Sequence, residues 1–158
     1  MNKHFLLFIS FIYICYGVDV IEVTANKLSA DEKTGTIELI ENVRVKKNKD
    51  ELFASKIVIK LDKNREPTGY SAYGDIKFNI VTKDNKKFYG KSDEAYYDTK
   101  KDEYRLLGNS ELNQENSINK VKGGEIIVNN DIGYVSITGT ANKPAKIIFE
   151  LESNGNKK

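Results

Sequence analysis

Polar and apolar side chains alternate along most of the chain from residue 21 onward. The longest alternating run covers residues 70–80, with small or apolar side chains at its even positions and mostly polar ones at its odd positions. A period of two residues is that of a β-strand with one buried face and one solvated face. Runs of the same kind predict further strands at residues 21–25, 36–40, 43–47, 52–61, 94–97, 104–107, 125–128, 134–138 and 146–151. No segment shows a sustained 3.6-residue period with helix caps, so the pattern predicts an all-β protein.

Two short motifs recur along these strands. The first is an apolar or aromatic residue, then usually Gly, then usually Asn or Asp; it stands at residues 40–42, 73–75, 107–109 and, with Thr on both sides of the Gly, 138–140. The second is a small residue, two variable positions and an apolar residue, at 25–28, 54–57, 92–95 and 124–127. Repeats of this kind predict supersecondary units that stack to bury one continuous core. Gly in the first motif fits a tight bend or bulge.

The first 17 residues predict a secretory signal peptide that is cleaved after Gly17. A short basic start precedes residues 5–15, which are apolar apart from Ser10, and the small residues Cys15 and Gly17 follow the cleavage pattern. The alternatives are an uncleaved membrane anchor and a lipoprotein signal at Cys15. Eleven residues fall short of the roughly 20 that span a bilayer, and the bulky Ile14 stands where a lipoprotein signal has a small residue. We therefore expect a domain at residues 18–152 and a disordered polar tail at 153–158.

Cleavage would remove the only thiol and the only imidazole side chain of the protein. Cys15 and His4 are the only cysteine and histidine in the chain. The mature chain would then have no disulfide, no zinc site of His and Cys, and no triad that needs His. Its charges nearly balance, which does not favour a nucleic-acid partner. We expect no enzyme activity, no cofactor and no metal, and the alternative of a carbohydrate-acting enzyme rests only on acidic pairs typical of a solvated surface.

A series of local patterns resembles the LptA/OstA-like family of lipopolysaccharide transport proteins. The series begins with T-A-x-K-L-x-x-D at residues 24–31. Seven further elements follow in the family's order, at residues 41–45, 54–59, 72–76, 95–98, 106–109, 124–128 and 133–139. The resemblance covers residues 20–151. Glu41 departs from it, because the family usually has Gly there, and this puts the geometry of the first junction in doubt.

The resemblance implies a twisted, open β-jelly roll whose two sheets fold over like a taco. It implies a periplasmic carrier that shelters the acyl chains of lipopolysaccharide, on the lipid A part, in an apolar groove. It also implies head-to-tail self-association into a filament, with inner-membrane LptC-like and outer-membrane LptD-like proteins as partners. Two alternatives stay open: a membrane-anchored LptC-like component of the same machinery, and a structural β-assembly module without lipid cargo.

The alternating apolar positions are either the core of an ordinary sandwich or the lining of a lipid groove. Periodicity alone does not separate these two interpretations, and the resemblance implies both roles for the same residues. The candidate groove residues are Val23, Ile37, Ile57, Ile59, Ile76, Phe78, Ile80, Tyr97, Leu106, Ile126, Val135, Ile137 and Phe149.

The first and last predicted strands, residues 20–25 and 146–151, carry little protection against pairing with another strand. The chain has two prolines, Pro67 in a predicted loop and Pro144 just before the last strand. Unprotected edges are templates for strand addition. We expect the two ends of the domain to pair with each other between copies, which gives open-ended filaments.

Overall fold

A computed structural model describes residues 21–81, 85–129 and 132–151 of the chain. All regular structure in these ranges is β-strand, which confirms the all-β prediction. In the same ranges there is no helix long and apolar enough to cross a membrane. The expected signal peptide at 1–17 and the expected tail at 153–158 lie outside the described residues. The strands are β1 Ile21–Thr24, β2 Lys27–Asp31, β3 Thr36–Lys47, β4 Asp50–Leu61, β5 Pro67–Val81, β6 Lys87–Asp98, β7 Glu103–Gln114, β8 Lys120–Asn129, β9 Tyr134–Thr138 and β10 Lys146–Ile148.

The ten strands form one open antiparallel sheet. Strands β3 to β8 are hydrogen-bonded in chain order, and each outer border of this series is covered by two short strands. β1 and β2 pair with the two halves of β3, and β9 and β10 pair with the two halves of β8. The sheet therefore has two edges that never meet, which confirms the open fold.

The recurring Gly-Asn motif marks the places where the long strands bend. In β5 and β7, both residues of the pair adopt left-handed backbone conformations, with φ of 74° and 50° at Gly74 and Asp75 and of 73° and 45° at Gly108 and Asn109. In β3, Glu41 adopts the same conformation without Gly, at φ 62°. Each pair lies where the register with the next strand shifts, two residues facing one, as in a β-bulge. Bulges bend a strand, so the aligned pairs form one fold line across the sheet.

The fold line divides the sheet into two layers. Layer I consists of residues 27–31, 36–40, 56–61, 67–73, 94–98, 103–107, 125–129 and 134–138. Layer II consists of residues 21–24, 43–47, 50–54, 76–81, 87–92, 110–114, 120–123 and 146–148. The resemblance implied two sheets, and the structure instead shows one sheet whose two halves act as layers.

The two layers fold toward each other. One core cluster contains residues of both, among them Leu39 and Ile57 of layer I and Val43 and Ile76 of layer II. Burial raises the pKa of Tyr70 and of Tyr104 in layer I, and in both cases the positive charge of Lys47, at the far end of layer II, partly offsets the rise.

Several sequence expectations differ from the structure at strand boundaries. β2 was not predicted as a strand, and β6 and β8 begin earlier than their predicted segments. Pro67 is the first residue of β5 and not part of a loop, a position where a strand tolerates the missing N–H. The last strand ends at Ile148, earlier than predicted. The motif at residues 138–140 forms no bulge inside a strand, because β9 ends at Thr138 and a small turn closed by a Thr140–Lys143 bridge follows.

Candidate functional site: the inner apolar face

The strand register aligns apolar side chains into rows that cross the whole sheet. Residues directly opposite each other in neighbouring strands share a face. In layer I one such row runs from β2 to β9 without interruption: Leu28, Leu39, Ile57, Ala72, Ala95, Leu106, Ile126 and Ile137. In layer II the corresponding row runs from β1 to β10: Val23, Val45, Leu52, Phe78, Gly90, Leu112, Val121 and Ile147. We call the face that carries these rows the inner face.

A second row of layer I brings three tyrosines together near the rim. Tyr70, Tyr97 and Tyr104 are directly opposite one another on β5, β6 and β7. The rings of Tyr97 and Tyr104 stack with centroids 4.3 Å apart, and those of Tyr70 and Tyr97 lie 6.1 Å apart. The Tyr97 hydroxyl donates to Asp102 Oδ1 at 3.1 Å. Burial, followed by the neighbouring Tyr104 and Asp102, raises the pKa of Tyr97, so these side chains stay neutral and present an apolar body with a polar tip.

The register places twelve of the thirteen candidate groove residues on the inner face, and Phe149 follows the end of β10. These thirteen residues differ in how far their side chains are exposed to solvent. Four are buried: Ile57, Ile76, Phe78 and Ile126. Five are half-buried: Ile37, Ile59, Tyr97, Leu106 and Ile137. Four are exposed: Val23, Ile80, Val135 and Phe149.

The middle of the inner face is filled by buried side chains and is closed to solvent. Leu39, Val43 and Ile76 are no more than 2% exposed. The ring of Phe78 lies over Gly90, where an added Cβ would come within 2.3 Å of it, and a Cβ at Gly123 would come within 3.0 Å of the Ile137 side chain. The core cluster joins Leu39 and Ile57 of layer I to Ile76 and Phe78 of layer II, so the two layers are in close contact here.

Toward both edges the same face is open to solvent. Leu28 on β2 is 64% exposed, Val135 on β9 59% and Ile147 on β10 54%. Leu28 and Ile147 end the two apolar rows, whose central members include the buried Ile57 and Phe78, and Val135 lies next to the end of one row on β9. The apolar face therefore continues to the border of the sheet without cover. A large uncovered apolar patch marks an interaction site.

Part of the inner face was not predicted from the sequence. The inner-face residues with substantial apolar side chains outside the candidate set are Leu28, Leu39, Val43, Val45, Leu52, Tyr70, Phe88, Tyr104, Leu112, Val121, Val128 and Ile147. Among these, Leu52, Phe88 and Val121 follow the opposite odd–even phase from the inward residues of their strands beyond the fold line. The register shifts at the bulges are the signal that reveals them.

Two buried hydroxyls interrupt the inner face. Ser92 and Ser110 are 4% and 2% exposed, and neither hydroxyl oxygen has a hydrogen-bond partner among the described residues. Unpaired buried polar groups are uncommon. In the same ranges no group of three or more His, Cys, Asp and Glu side chains could hold a metal ion.

The fold and this face define a class of protein: an open, bent β-sheet whose apolar inner face is continuous from one edge to the other. The sequence profile of the LptA/(LptD N-terminal domain) LPS transport protein family matches residues 22–134, and the chain belongs to this family. It is a family of transport proteins and not of enzymes. The family resemblance found in the sequence is thereby confirmed.

A comparison with solved structures supports the same fold. The crystal structure of LptH is described as the LptA homologous periplasmic component of the conserved lipopolysaccharide transport device from Pseudomonas aeruginosa. It matches with a TM-score of 0.70 over 84% of this chain and 96% of that chain, at 16% sequence identity. At this identity the match shows the fold alone. No curated protein sequence matches the chain significantly.

Proposed function

We propose that the mature protein is a periplasmic carrier that shelters lipopolysaccharide acyl chains against its inner face and passes them from the inner toward the outer membrane. The observation that supports this most directly is the unbroken course of the apolar rows across an open sheet, from Leu28 to Ile137 and from Val23 to Ile147. In a protein with an ordinary closed core, the apolar rows would stop before the edge strands. In a carrier that passes lipid along, the rows have to reach both edges of the sheet.

The physical task of such a carrier is to keep methylene groups out of water. Each buried methylene is worth roughly 0.8 kcal/mol, so the acyl chains cross an aqueous compartment only under apolar cover. In this proposal the two layers separate along the fold line to admit the chains. Separation replaces contacts of Ile76 and Phe78 with the opposite layer by contacts with lipid. The carrier performs no reaction, and another protein supplies the energy for net movement.

Lipid uptake can be tested with two adjacent leucines that face opposite ways. Leu106 lies in the inner row, opposite Ala95 and Ile126, while Leu107 points outward, opposite Glu94 and Glu125; both are half-buried. Delipidated protein is mixed with fluorescent lipopolysaccharide, and the retained probe is measured. We expect Leu106→Thr to lower retention several-fold and Leu107→Thr to leave it near the parent value.

The rival function is a β-assembly module with a permanently dry interior. It would take up no probe at any protein concentration and would still associate through its edges. Mass spectrometry of gently extracted native protein would find no bound lipid in that case. The same measurement gives the mature N-terminus, since retention of residues 1–17 would favour the membrane-anchored LptC-like alternative.

We further propose that the two open edges join copies head to tail, and that the terminal edges of such a filament meet an LptC-like and an LptD-like partner. Support comes from the uncovered apolar ends of the rows, which a second sheet would continue. Gln114 of β7 donates its N–H to the carbonyl of Asn119 at 3.1 Å, so two residues along, the backbone groups of Val121 also point toward β7. Ile147 is opposite Val121, and its N–H therefore points away from β8 toward the free edge.

The assembly proposal predicts that Ile147→Pro stops growth of the filament without unfolding the monomer. Proline removes the outward N–H that a new strand would need, whereas the control Ile147→Thr keeps it. Light scattering over a concentration series should show mass rising continuously for the parent and for Ile147→Thr. A closed dimer, or growth unaffected by proline, would contradict the proposal.

A further inference from the structure

The outward face of layer II carries a row of basic side chains that crosses the sheet. The register places these residues opposite one another in sequence from β3 to β10: Arg44, Phe53, Lys77, Lys91, Glu111, Lys122 and Lys146. Seven strands at about 4.8 Å spacing make this row roughly 29 Å long. The neighbouring row adds Lys46 and Lys120, together with Glu22, Glu51 and Tyr89.

This arrangement places like charges directly opposite each other. Lys77 is directly opposite Lys91, and Lys122 is directly opposite Lys146. Such pairs destabilise a sheet. Glu111 alone contacts three lysines, with Lys120, Lys122 and Lys91 at 2.6, 3.1 and 3.9 Å. Within the described ranges Lys77 and Lys146 have no ion-pair partner, so the row carries charge that folding does not require.

The outward faces of the two layers differ in net charge. On the outward face of layer II the two rows hold seven basic and three acidic residues, a net charge of +4. The two matching rows of layer I hold three of each sign and are neutral: Lys27, Lys56 and Arg105 against Glu38, Glu94 and Glu125. The basic excess is therefore a property of one face and not of the whole surface.

Aromatic side chains stand among the cations of layer II. Phe53 is 36% exposed beneath Arg44, whose guanidinium lies 5.8 Å from the ring centroid, and Tyr89 is 50% exposed beside Lys91. Aromatic rings with one apolar and one wet side suit the boundary of a membrane. Lysines on flexible stems act as point charges and suit a diffuse layer of phosphates better than one fixed phosphate, for which paired arginines are the usual choice.

We propose that the outward face of layer II docks on an anionic phospholipid surface, with its strands lying flat against the headgroups. Charge complementarity and the length of the row carry this assignment. It places the carrier's inner face away from the bilayer, behind the docked layer. The contact is electrostatic and reversible, since juxtamembrane lysines attract anionic lipid and this attraction is screened by salt.

The experiment compares two triple variants of the full chain with equal loss of charge. K77Q/K91Q/K146Q removes three cations of the row: Lys77 and Lys146, which have no ion-pair partner among the described residues, and Lys91, whose only such partner is Glu111 at 3.9 Å. K63Q/K100Q/K101Q removes three exposed cations from the turns of layer I and is the matched control. Binding is measured by flotation with phosphatidylcholine vesicles and with vesicles containing an equal part of phosphatidylglycerol, without lipopolysaccharide. The measured quantity is the gain due to the anionic lipid.

Each lysine is expected to contribute about fivefold to the gain, so the gain of the row variant should be up to about a hundredfold smaller than that of the parent. The gain of the control should stay within about twofold of the parent. Both variants should melt no lower than the parent. Equal loss in the two variants, or no gain for the parent, would overturn the proposal. So would binding of soluble polygalacturonate through these lysines with no binding of vesicles. Failure of membrane docking can be distinguished from failure of the carrier function, because uptake of lipopolysaccharide by the inner face should be unchanged in either variant.

Discussion

In the middle of the sheet Ile76 is 1% exposed, whereas at the edge Val135, also aliphatic and on the same inner face, is 59% exposed. The sequence around them is alike, since both lie in alternating strands with polar neighbours. The difference arises from the fold line: in the middle each layer covers the other, and at the edges only the short strands β1, β2, β9 and β10 extend the face. The apolar pattern is uniform along the sheet while its burial is not.

This contrast indicates that the middle stabilises the monomer and that the edges are available for partners. Burial contributes to stability in proportion to the apolar area removed from water. The core cluster consists of residues from β3, β4 and β5. By comparison, β10 has three residues and pairs with β8 alone. An uncovered edge contributes little to the folded monomer and gains most when another surface covers it.

The largest expected effect separates these two regions directly. Ile76→Asp puts an unpaired charge among Leu39, Val43 and Ile57, and we expect it to lower the free energy of unfolding by more than about 4 kcal/mol. Val135→Asp places the same charge in solvent and should cost at most about 1 kcal/mol. Urea denaturation followed by circular dichroism measures both. Similar losses in the two variants would show that the edge is as important to stability as the middle.

The strand predictions for β5 and β6 differ at the fold line, although β4 changes phase there and was predicted as one strand, and β7 keeps its phase and was predicted only at 104–107. In β3, β5 and β7 two residues at the bulge face one residue of the next strand, and the inward positions keep one odd–even phase, as with Tyr70, Ala72, Ile76 and Phe78 in β5. Alternation therefore identified 70–80 of β5 as one strand. In β6 one residue, Asp93, faces the pair, and the phase changes on passing it. A single-phase pattern that starts from residues 94–97 then ends at Asp93, and residues 87–93 were not predicted.

The candidate site was predictable in part for the same reason. Alternation assigns Leu106 and Ile126 to one face whatever covers them. It does not indicate how far layer I lies from layer II, because contacts between layers have no period along the chain. The packing of Leu39 and Ile57 of layer I with Ile76 and Phe78 of layer II thus followed only from the structure. The role of the inner-face residues in binding lipid stays a prediction.

A smaller effect is expected at the fold line itself. Gly108 has φ of 73°, and a Cβ there would lie 2.3 Å from Asp93 Oδ2, the atom that accepts a hydrogen bond from Asn109 at 2.9 Å. Gly108→Ala combines backbone strain with this clash, and we expect a loss of about 2–3 kcal/mol. Gly133, at the start of the edge hairpin, has φ of 63° and open space around its Cβ position, so Gly133→Ala should cost about 1 kcal/mol. Equal melting temperatures for the two variants would argue against tight packing along the fold line.

The smallest effect concerns the C-terminal edge, where charge supplements sparse apolar cover. The hydrogen bond from Lys120, with further help from Lys122 and Asn113, lowers the pKa of Glu111 to about 2. A depressed carboxyl pKa contributes stability that is complete above the unfolded value of 4.5 and is lost as the pH falls from there toward 2. We expect a contribution on the order of 1–2 kcal/mol, since its lysine partners are partly exposed.

Acid should therefore loosen β8 and β10 before it loosens β4 and β5, because Glu111 is opposite Lys122, which is in turn opposite Lys146 of β10. Hydrogen exchange at pH 3 and pH 6, after correction for the intrinsic rate, measures the protection of each strand. Glu111→Gln should remove most of the difference between the two pH values at the C-terminal edge and leave β4 unchanged. If β4 and β10 lost protection together, the edge would not unfold independently of the middle, and the two regions would form one cooperative unit.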